Sequence, residues 1–305
     1  MKTPLAAPRA PFSLRAPAKI NWFLQIVGQR DDGYHNISSL MQCISLYDSL
    51  RFEHSDSLQI KSDLDIPPAD NLVHKAASLL KKLASCRKGA RIALRKRIPV
   101  SAGLGGGSSD AASTLTGLNI LWGLNLTDIE LSAIGAQIGS DVPFFFHCPL
   151  ALVEGRGETV TPLRADSSAI LLLIKPGVSV STKWAYELYD ASGFDQLTKK
   201  PIDIKLFCQA MERQDYAFLG EMRENNLEEV VADNHQIIRE IKLKLTEQGA
   251  VISAMSGSGP TVFGVFKSRT MAERAAQAMK PEKGLIVTTL PSVEWKKRAV
   301  KSRKT

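Results

Sequence analysis

A chain of 305 residues, 44% hydrophobic and 23% charged, is long enough for one large or two ordinary soluble domains with a sizeable core. No apolar run reaches bilayer length, and Cys43, Cys86, Cys148 and Cys208 form no C-x-x-C pair, which argues against a helical membrane protein, a disulfide framework and a zinc module. The net charge of +8 points to an anionic partner, with basic residues gathered in "RIALRKRIP" and in the tail "KKRAVKSRKT".

The opening "MKTPLAAPRAPFSL" lacks the apolar core of a signal peptide and reads as a disordered lead-in. "FSLRAPAKINWFLQIVG" alternates as strands, "GQRDDGYH" is a turn-rich loop, and "NISSLMQCISLYDSLRFE" and "SLQIKS" read as strands again. "DNLVHKAASLLKKLAS" sets Leu72, Ala76, Leu79, Leu80 and Leu83 along one helical face, and "ARIALRKRI" is a strand ended by Pro99. "DAASTLTGLNILWGL" is helical with Leu115, Leu118 and Leu121 inward, and Thr127 with Glu130 forms a capping-box signature opening "DIELSAIGAQIG". "ALVEGRGETVTPL" follows as a hairpin.

The polar stretch 164–169 is taken as a boundary, giving domains 1–164 and 165–295 and a solvated basic tail 296–305. Beyond it come a buried strand, "AILLLIKPG", and helical patterns at 182–190, 201–213 and 234–248. "AVISAMSGSGPTVFGVF" reads as two strands around a small-residue turn, followed by a helix, "TMAERAAQAM", and a strand, "GLIVTTL". Strands joined mostly by hairpins and mixed with helices indicate an α+β fold.

Between the basic strand and the first long helix of leucines lies "GLGGGSSD", residues 103–110. Glycines leave backbone N–H groups bare, and a helix N-terminus adds unpaired donors and partial positive charge, which together suit phosphate. A flexible loop with a serine cap is the plainer alternative. The stretch is neither a Walker A loop, since G-x-x-x-x-G-K-[ST] is absent, nor a Rossmann fingerprint, since Ser108 stands where the third glycine belongs.

The string from Pro99 to Ser109 instead resembles the second motif of the GHMP kinases, the family of galactokinase, homoserine kinase and mevalonate kinase. "APAKIN", residues 16–21, resembles that family's N-terminal motif and "MSGSGPTVFG", residues 255–264, its C-terminal glycine-rich motif. The resemblance implies two α+β domains, the first like a ribosomal-protein domain and the second ferredoxin-like, with the active site in the cleft between them. It implies ATP, carried with Mg²⁺, as phosphoryl donor, held by Asn71, Lys96, Pro99, Val100, Ser101, Ala102, Gly103, Leu104, Gly105, Gly106, Gly107, Ser108 and Ser109. No protein ligand for the metal is assigned. "GQRDDGYH", "GSDVPFFF" and "PGVSVST" are similar to the members acting on a cytidine-diphosphate-linked methylerythritol of the non-mevalonate isoprenoid route.

Phosphoryl transfer needs alignment, charge neutralisation and an oriented hydroxyl more than covalent help. By resemblance Asp141 is the base and Lys19 its partner. Asp141 also suits a cap for a helix starting at Val142, and a strand lysine is commonly an exposed edge residue. Tyr34 and His35, otherwise loop surface, offer a ring and an imidazole for a cytosine face and edge. Tyr186 would stack as well, or simply bury an aromatic on an amphipathic helix. Asn21, Thr182, Gly257, Ser258 and Gly259 complete the implied acceptor site with Asp141. Asn71 has helix capping as its simpler role, and Ser108 and Ser109 are expected to cap their helix while touching phosphate or Mg²⁺. The competing readings are a GHMP kinase for homoserine or a mevalonate derivative and, from another class, a basic nucleic-acid-binding protein. Against the last, aromatic residues do not interleave with the basic runs. The expected protein is cytoplasmic, a monomer or weak homodimer, with small-molecule partners and neither nucleic acid nor membrane.

Overall fold

The computed structural model describes residues 8, 10–64, 67, 70–193, 201–280 and 282–293. The expectations for the first seven residues of the lead-in and for the tail 296–305 fall outside them. The chain begins with a long antiparallel hairpin, β1 (Phe12–Gln29) and β2 (His35–Ser55), whose register shifts at Pro17/Ala18, Asn21/Phe23 and Ile26/Gly28. Next come β3 (Leu58–Ser62), helix α1 (Leu72–Leu83) and β4 (Gly89–Arg95), with β3 and β4 parallel across the helical crossover. Helices α2 (Gly106–Trp122), α3 (Asp128–Ala136) and α4 (Phe144–His147) lead to a second hairpin, β5 (Leu150–Gly155) and β6 (Thr159–Leu163). β2 is long enough to take β4 beside residues 49–55 and β5 beside residues 37–42, so the first sheet runs β3-β4-β2-β5-β6 with β1 also on β2.

The second sheet starts at β7 (Ile170–Ile174). Helices α5 (Thr182–Ala191), α6 (Ile204–Arg213), α7 (Tyr216–Met222), α8 (Asn226–Asn234) and α9 (Ile237–Glu247) follow. The chain then forms β8 (Ile252–Met255), β9 (Val262–Phe266), α10 (Arg269–Ala278) and β10 (Leu285–Thr288), and the sheet order is β10-β7-β9-β8. β7 is apolar at every position because both its faces are covered. Leu172 and Ile174 pack with Ile238, Ile241 and Ala275 of the outer helices. Leu171 and Leu173 pack with Ile20, Phe23, Leu40 and Ile44 of the first hairpin. One wall of the β1–β2 hairpin therefore belongs to the second sheet's core.

Helix α2 is the centre of the first core, with Leu115, Leu118 and Leu121 fully buried as expected, beside Phe52 and Ile92. Truncating any of these leucines to alanine would cost about 2–5 kcal/mol. The capping box at Thr127 and Glu130 is present in full.

Several expectations need correction. On α1, Ala76 and Leu80 of the expected face are fully buried and Leu72 packs partly against the core, but Val73 and Ala77 join them and Leu83 is 52% exposed, so the buried stripe is turned toward the small residues that face α2. β4 ends at Arg95, not at Pro99. The backbone is drawn off the sheet by carboxylates: Lys96 N donates to Asp63, and Arg97 N and Ile98 N donate to Asp48 Oδ1 at 2.5 and 2.8 Å. α3 stops at Ala136, short of Gly139. α7 and α8 lie in a stretch where no helix was expected. Each is short and opened by a side-chain cap, Asp215 Oδ1 accepting from Phe218 N and Asn225 Oδ1 from Leu227 N.

Candidate active site

A cleft of about 1050 Å³ runs between the two sheets, and the three motifs meet in it. β1 contributes Lys19 and Asn21, whose neighbours Ala18, Ile20 and Trp22 face the second core through strand alternation. The loop before α2 is tied to β1 by Lys19 N donating to Leu104 O at 2.9 Å, and to the 256–260 turn by Ser256 Oγ donating to Gly103 O at 3.0 Å. Gly103, at φ +73°, passes so close to that turn that a Cβ would lie 2.2 Å from Ser256 O.

Gly105 is the N-cap of α2 at φ +66°, and no side chain caps the helix. The first-turn N–H groups, which lack intrahelical acceptors, thus have no side-chain cap, and the absence of Cβ at Gly105 keeps the approach clear beside Lys19 and Phe145. Helix α2 begins at Gly106, so Ser108 and Ser109 lie within its first turn and neither acts as the expected cap. Ser108 lines the cleft, whereas Ser109 is fully buried with its Oγ lacking a hydrogen-bond partner. Pro99, Val100, Ser101, Ala102, Gly106 and Gly107 line the cleft as expected. Asn71 does too, and its Oδ1 caps α1 by accepting from Val73 N at 3.0 Å.

Lys96 reaches the cleft, but its ammonium is held by two buried carboxylates, donating to Asp48 Oδ2 at 2.5 Å and to Asp110 Oδ2 at 2.7 Å. Burial works to lower the Lys96 pKa, yet the two carboxylates outweigh it and the result is raised. Burial pushes Asp110 up to about 7, with the Lys96 charge opposing and Asp48 adding to the rise, and Asp110 Oδ1 has no partner.

Lys19 is almost fully buried. Its Nζ donates to Asn21 Oδ1 at 2.7 Å and lies 3.6 Å from Asp141 Oδ2, while Asn21 Nδ2 donates to Ser39 Oγ and Ser39 Oγ to Phe23 O. Burial lowers the Lys19 pKa and the Asp141 charge partly restores it. Asp141 is not a helix cap: α4 starts at Phe144 behind Pro143, with no side-chain capping bond.

At the far end of the cleft the His35 ring is packed by α5. Tyr186 stacks on it at 5.0 Å and 23°, Tyr189 meets it edge-on, and its Nε2 lies 2.7 Å from Asp190 Oδ1. Tyr34 is 54% exposed, with the Arg156 guanidinium 5.0 Å over its ring. Thr182 Oγ1 and Ser258 Oγ are 3.1 Å apart. Gly257 sits against the Lys19–Asn21 pair and Gly259 lines the cleft beside it. Asn225 Nδ2 donates to Met255 O and Gly257 O, and Met255 N donates to Glu228, so the missed helix α8 anchors the third motif.

All the expected site residues except Ser109 thus line one cleft. The residues that sequence reasoning missed are Asp48, Asp110, Arg156, Asp190, Asn225 and Glu228. Asp110 was within the quoted glycine string, and Asp190 stands one turn after Tyr186; the others carried no local signal.

Residues 71–148 match the GHMP kinases N terminal domain and residues 204–284 the GHMP kinases C terminal. The chain is a member of the GHMP kinase family, and its two-part α+β fold and cleft are those of a small-molecule phosphotransferase that uses ATP. A relative from Thermodesulfovibrio yellowstonii, 45% identical over 90% of this chain and 97% of its own length, is a 4-diphosphocytidyl-2-C-methyl-D-erythritol kinase. One of the same name from Lachnoclostridium phytofermentans is 42% identical over 86% of this chain and 90% of its own. A crystal structure of 4-(cytidine 5'-diphospho)-2C-methyl-D-erythritol kinase superposes with a TM-score of 0.79 at 32% identity, covering 91% of this chain and 99% of that one. No helix among the described residues is long and apolar enough to cross a membrane.

Proposed function

We propose that the chain transfers the γ-phosphoryl group of ATP to the 2-hydroxyl of 4-diphosphocytidyl-2-C-methyl-D-erythritol. The observation that carries this reading is the cleft itself: an uncapped glycine-led helix end beside the Lys19–Asp141 pair at one side, and an aromatic and imidazole cluster suited to a nucleobase at the other. Homoserine and mevalonate carry no base for such a cluster.

In this reading the first turn of α2 holds the ATP phosphates, with Lys96 beside it and Asn71 toward the adenine. Asp141 accepts the proton of the acceptor hydroxyl as its oxygen bonds to the γ-phosphorus and the bond to the β–γ bridging oxygen breaks, releasing ADP. Lys19 sets a buried positive charge 3.6 Å from Asp141 Oδ2 and offsets charge on the transferred group. Asn21, Thr182 and the 257–259 turn hold the diphosphate and polyol, and Tyr34, His35 and Tyr186 the base. ATP arrives with Mg²⁺, for which this reading assigns no protein ligand. When bound, that ion neutralises phosphate charge. The two-domain division near 164/165, supported by the first sheet ending at Leu163 and the second starting at Ile170, belongs to the same proposal. So do the cytoplasmic location and the monomeric or weakly dimeric state.

The test is ADP release measured with 4-diphosphocytidyl-2-C-methyl-D-erythritol, homoserine and mevalonate in parallel. Turnover restricted to the first supports the proposal. Turnover of either of the others alone overturns it.

A further inference from the structure

The His35 ring is gripped by one face of one helix. Tyr186 and Asp190 are four residues apart on α5 and therefore project together. Tyr186 covers the ring face, Tyr189 closes on it edge-on, and Asp190 Oδ1 stands 2.7 Å from Nε2. The His35 side chain is 4% exposed, so this contact is made away from bulk water. An ionised carboxylate has only lone pairs to offer, so a hydrogen bond of that length requires the hydrogen on Nε2. In the neutral ring, Nδ1 then carries the lone pair. Among the described residues Nδ1 has no hydrogen-bond partner, and His35 lines the cleft.

We propose that Asp190 fixes His35 in the Nε2–H tautomer, so that Nδ1 acts as an acceptor in the cleft and selects a base bearing an exocyclic amino group over one bearing a carbonyl at that position. The inference rests on the reading of the cleft as a nucleotide-linked acceptor site. A cytosine N4 amino group donates to Nδ1. A uracil O4 would set lone pair against lone pair. Asp190 does not touch the base in this account; it is a positioning residue that works through His35. The Tyr186 face cannot supply the discrimination, since stacking accepts either pyrimidine. Helix α5 thus carries both the stacking surface and the orienting carboxylate, and the two arrive in the cleft as one unit.

The test uses CDP and UDP as probes on the full chain, with a non-hydrolysable ATP analogue saturating the glycine loop so that neither probe reads the ATP site. Calorimetry gives the CDP-to-UDP affinity ratio for wild type, Asp190→Ala and Asp190→Asn. Long-range ¹H–¹⁵N correlation reports the His35 tautomer in each. The wild-type ratio is expected to be on the order of 10- to 100-fold in favour of CDP, the worth of a made against an opposed buried hydrogen bond. Asp190→Ala should bring it close to parity while the affinity for the ATP analogue holds. Asp190→Asn should give a mixture of tautomers and an intermediate ratio, because an amide can either accept from or donate to Nε2. Asp190 is 40% exposed on its side chain, so melting temperatures should change little, and they are measured to verify folding. A wild-type ring with hydrogen on Nδ1, or an unchanged ratio in a folded Asp190→Ala, overturns the inference. Failure to phosphorylate 4-diphosphocytidyl-2-C-methyl-D-erythritol would overturn the proposed function instead, and it leaves the tautomer and the CDP-to-UDP ratio as separate readouts.

Discussion

Lys19 Nζ gives its short hydrogen bond to Asn21 Oδ1 at 2.7 Å and stands 3.6 Å from Asp141 Oδ2. The two side chains are paired by charge while the carboxylate oxygens remain open to a hydroxyl. Burial of the ammonium makes its charge count for more than it would in water.

Asp141→Asn should therefore lower kcat by roughly the 10²–10⁴ of a lost general base, with both substrates still bound. Lys19→Met should lower kcat as well. The double variant should be little slower than Asp141→Asn alone, because residues acting as one unit are non-additive. Single-turnover rates with calorimetric binding for all three variants check this, and strictly multiplicative losses would show two independent roles.

The glycines of the loop should separate by position. In Gly105→Ala the new Cβ meets Lys19 Cγ at 2.9 Å and the backbone must keep φ +66°, so melting temperature and kcat should both fall. In Gly107→Ala the nearest protein atom is Leu72 Cδ1 at 3.4 Å, an ordinary contact, so the melting temperature should hold. The KM for ATP should still rise, since only a phosphate would meet the added methyl. Loss of stability in Gly107→Ala would contradict the open loop face.

His35→Ala should raise the KM for the cytidine substrate and leave that for ATP nearly unchanged. A base edge stripped of its partner costs about 1–3 kcal/mol. Arg156→Ala, which uncovers the Tyr34 ring, should act in the same direction but less strongly, because the guanidinium lies on the ring at an exposed site. Equal effects on both substrates would remove these residues from the base pocket.

Asp110 should leave a mark on stability against pH. Its folded-state pKa, about 7, lies above that of an unfolded aspartate, so between roughly pH 4 and 7 the native state binds the extra proton. That group's contribution is fully present below the unfolded value and is lost as pH rises through 7. Asp110→Asn cannot titrate, so its melting temperature should gain on wild type between pH 5 and 8. A constant difference across that range would mean that Lys96 holds Asp110 ionised throughout.

The sequence displayed what is local and periodic. The leucines of α2, the capping box at Thr127 and the apolar run of β7 each follow from short-range pattern. The three motifs announced the cleft because each is a contiguous string held by backbone geometry. What stayed hidden is carried by single polar residues meeting across the chain. Asp48 turns the β4 exit and grips Lys96 from forty-eight residues away. Asn225 holds the Met255 and Gly257 carbonyls from the cap of a helix that reaches the third motif only through the tertiary fold. The α1 face was legible in part: Ala76 and Leu80 are buried as their spacing implies, whereas the burial of Val73 and Ala77 and the exposure of Leu83 are set by the neighbour, α2.

The β1–β2 hairpin, whose Ile20, Phe23, Leu40 and Ile44 are packed with Leu171, Phe263 and Val265, makes the two halves joint owners of one strand pair. A fragment carrying only residues 165–293 would present that apolar wall to water, and one ending at residue 164 would present its other side. Severing the chain between β6 and β7 should thus yield two insoluble pieces that recover only when mixed during refolding. A chimera of two related kinases joined at that junction sets the hairpin of one parent against the second sheet of the other, so it should fold only when the two parents match at these packing positions. The strand that carries Lys19 also cannot tilt without tearing this shared packing. Access to the cleft therefore falls to its rim, the α5 face and the Arg156 turn, with the floor held still.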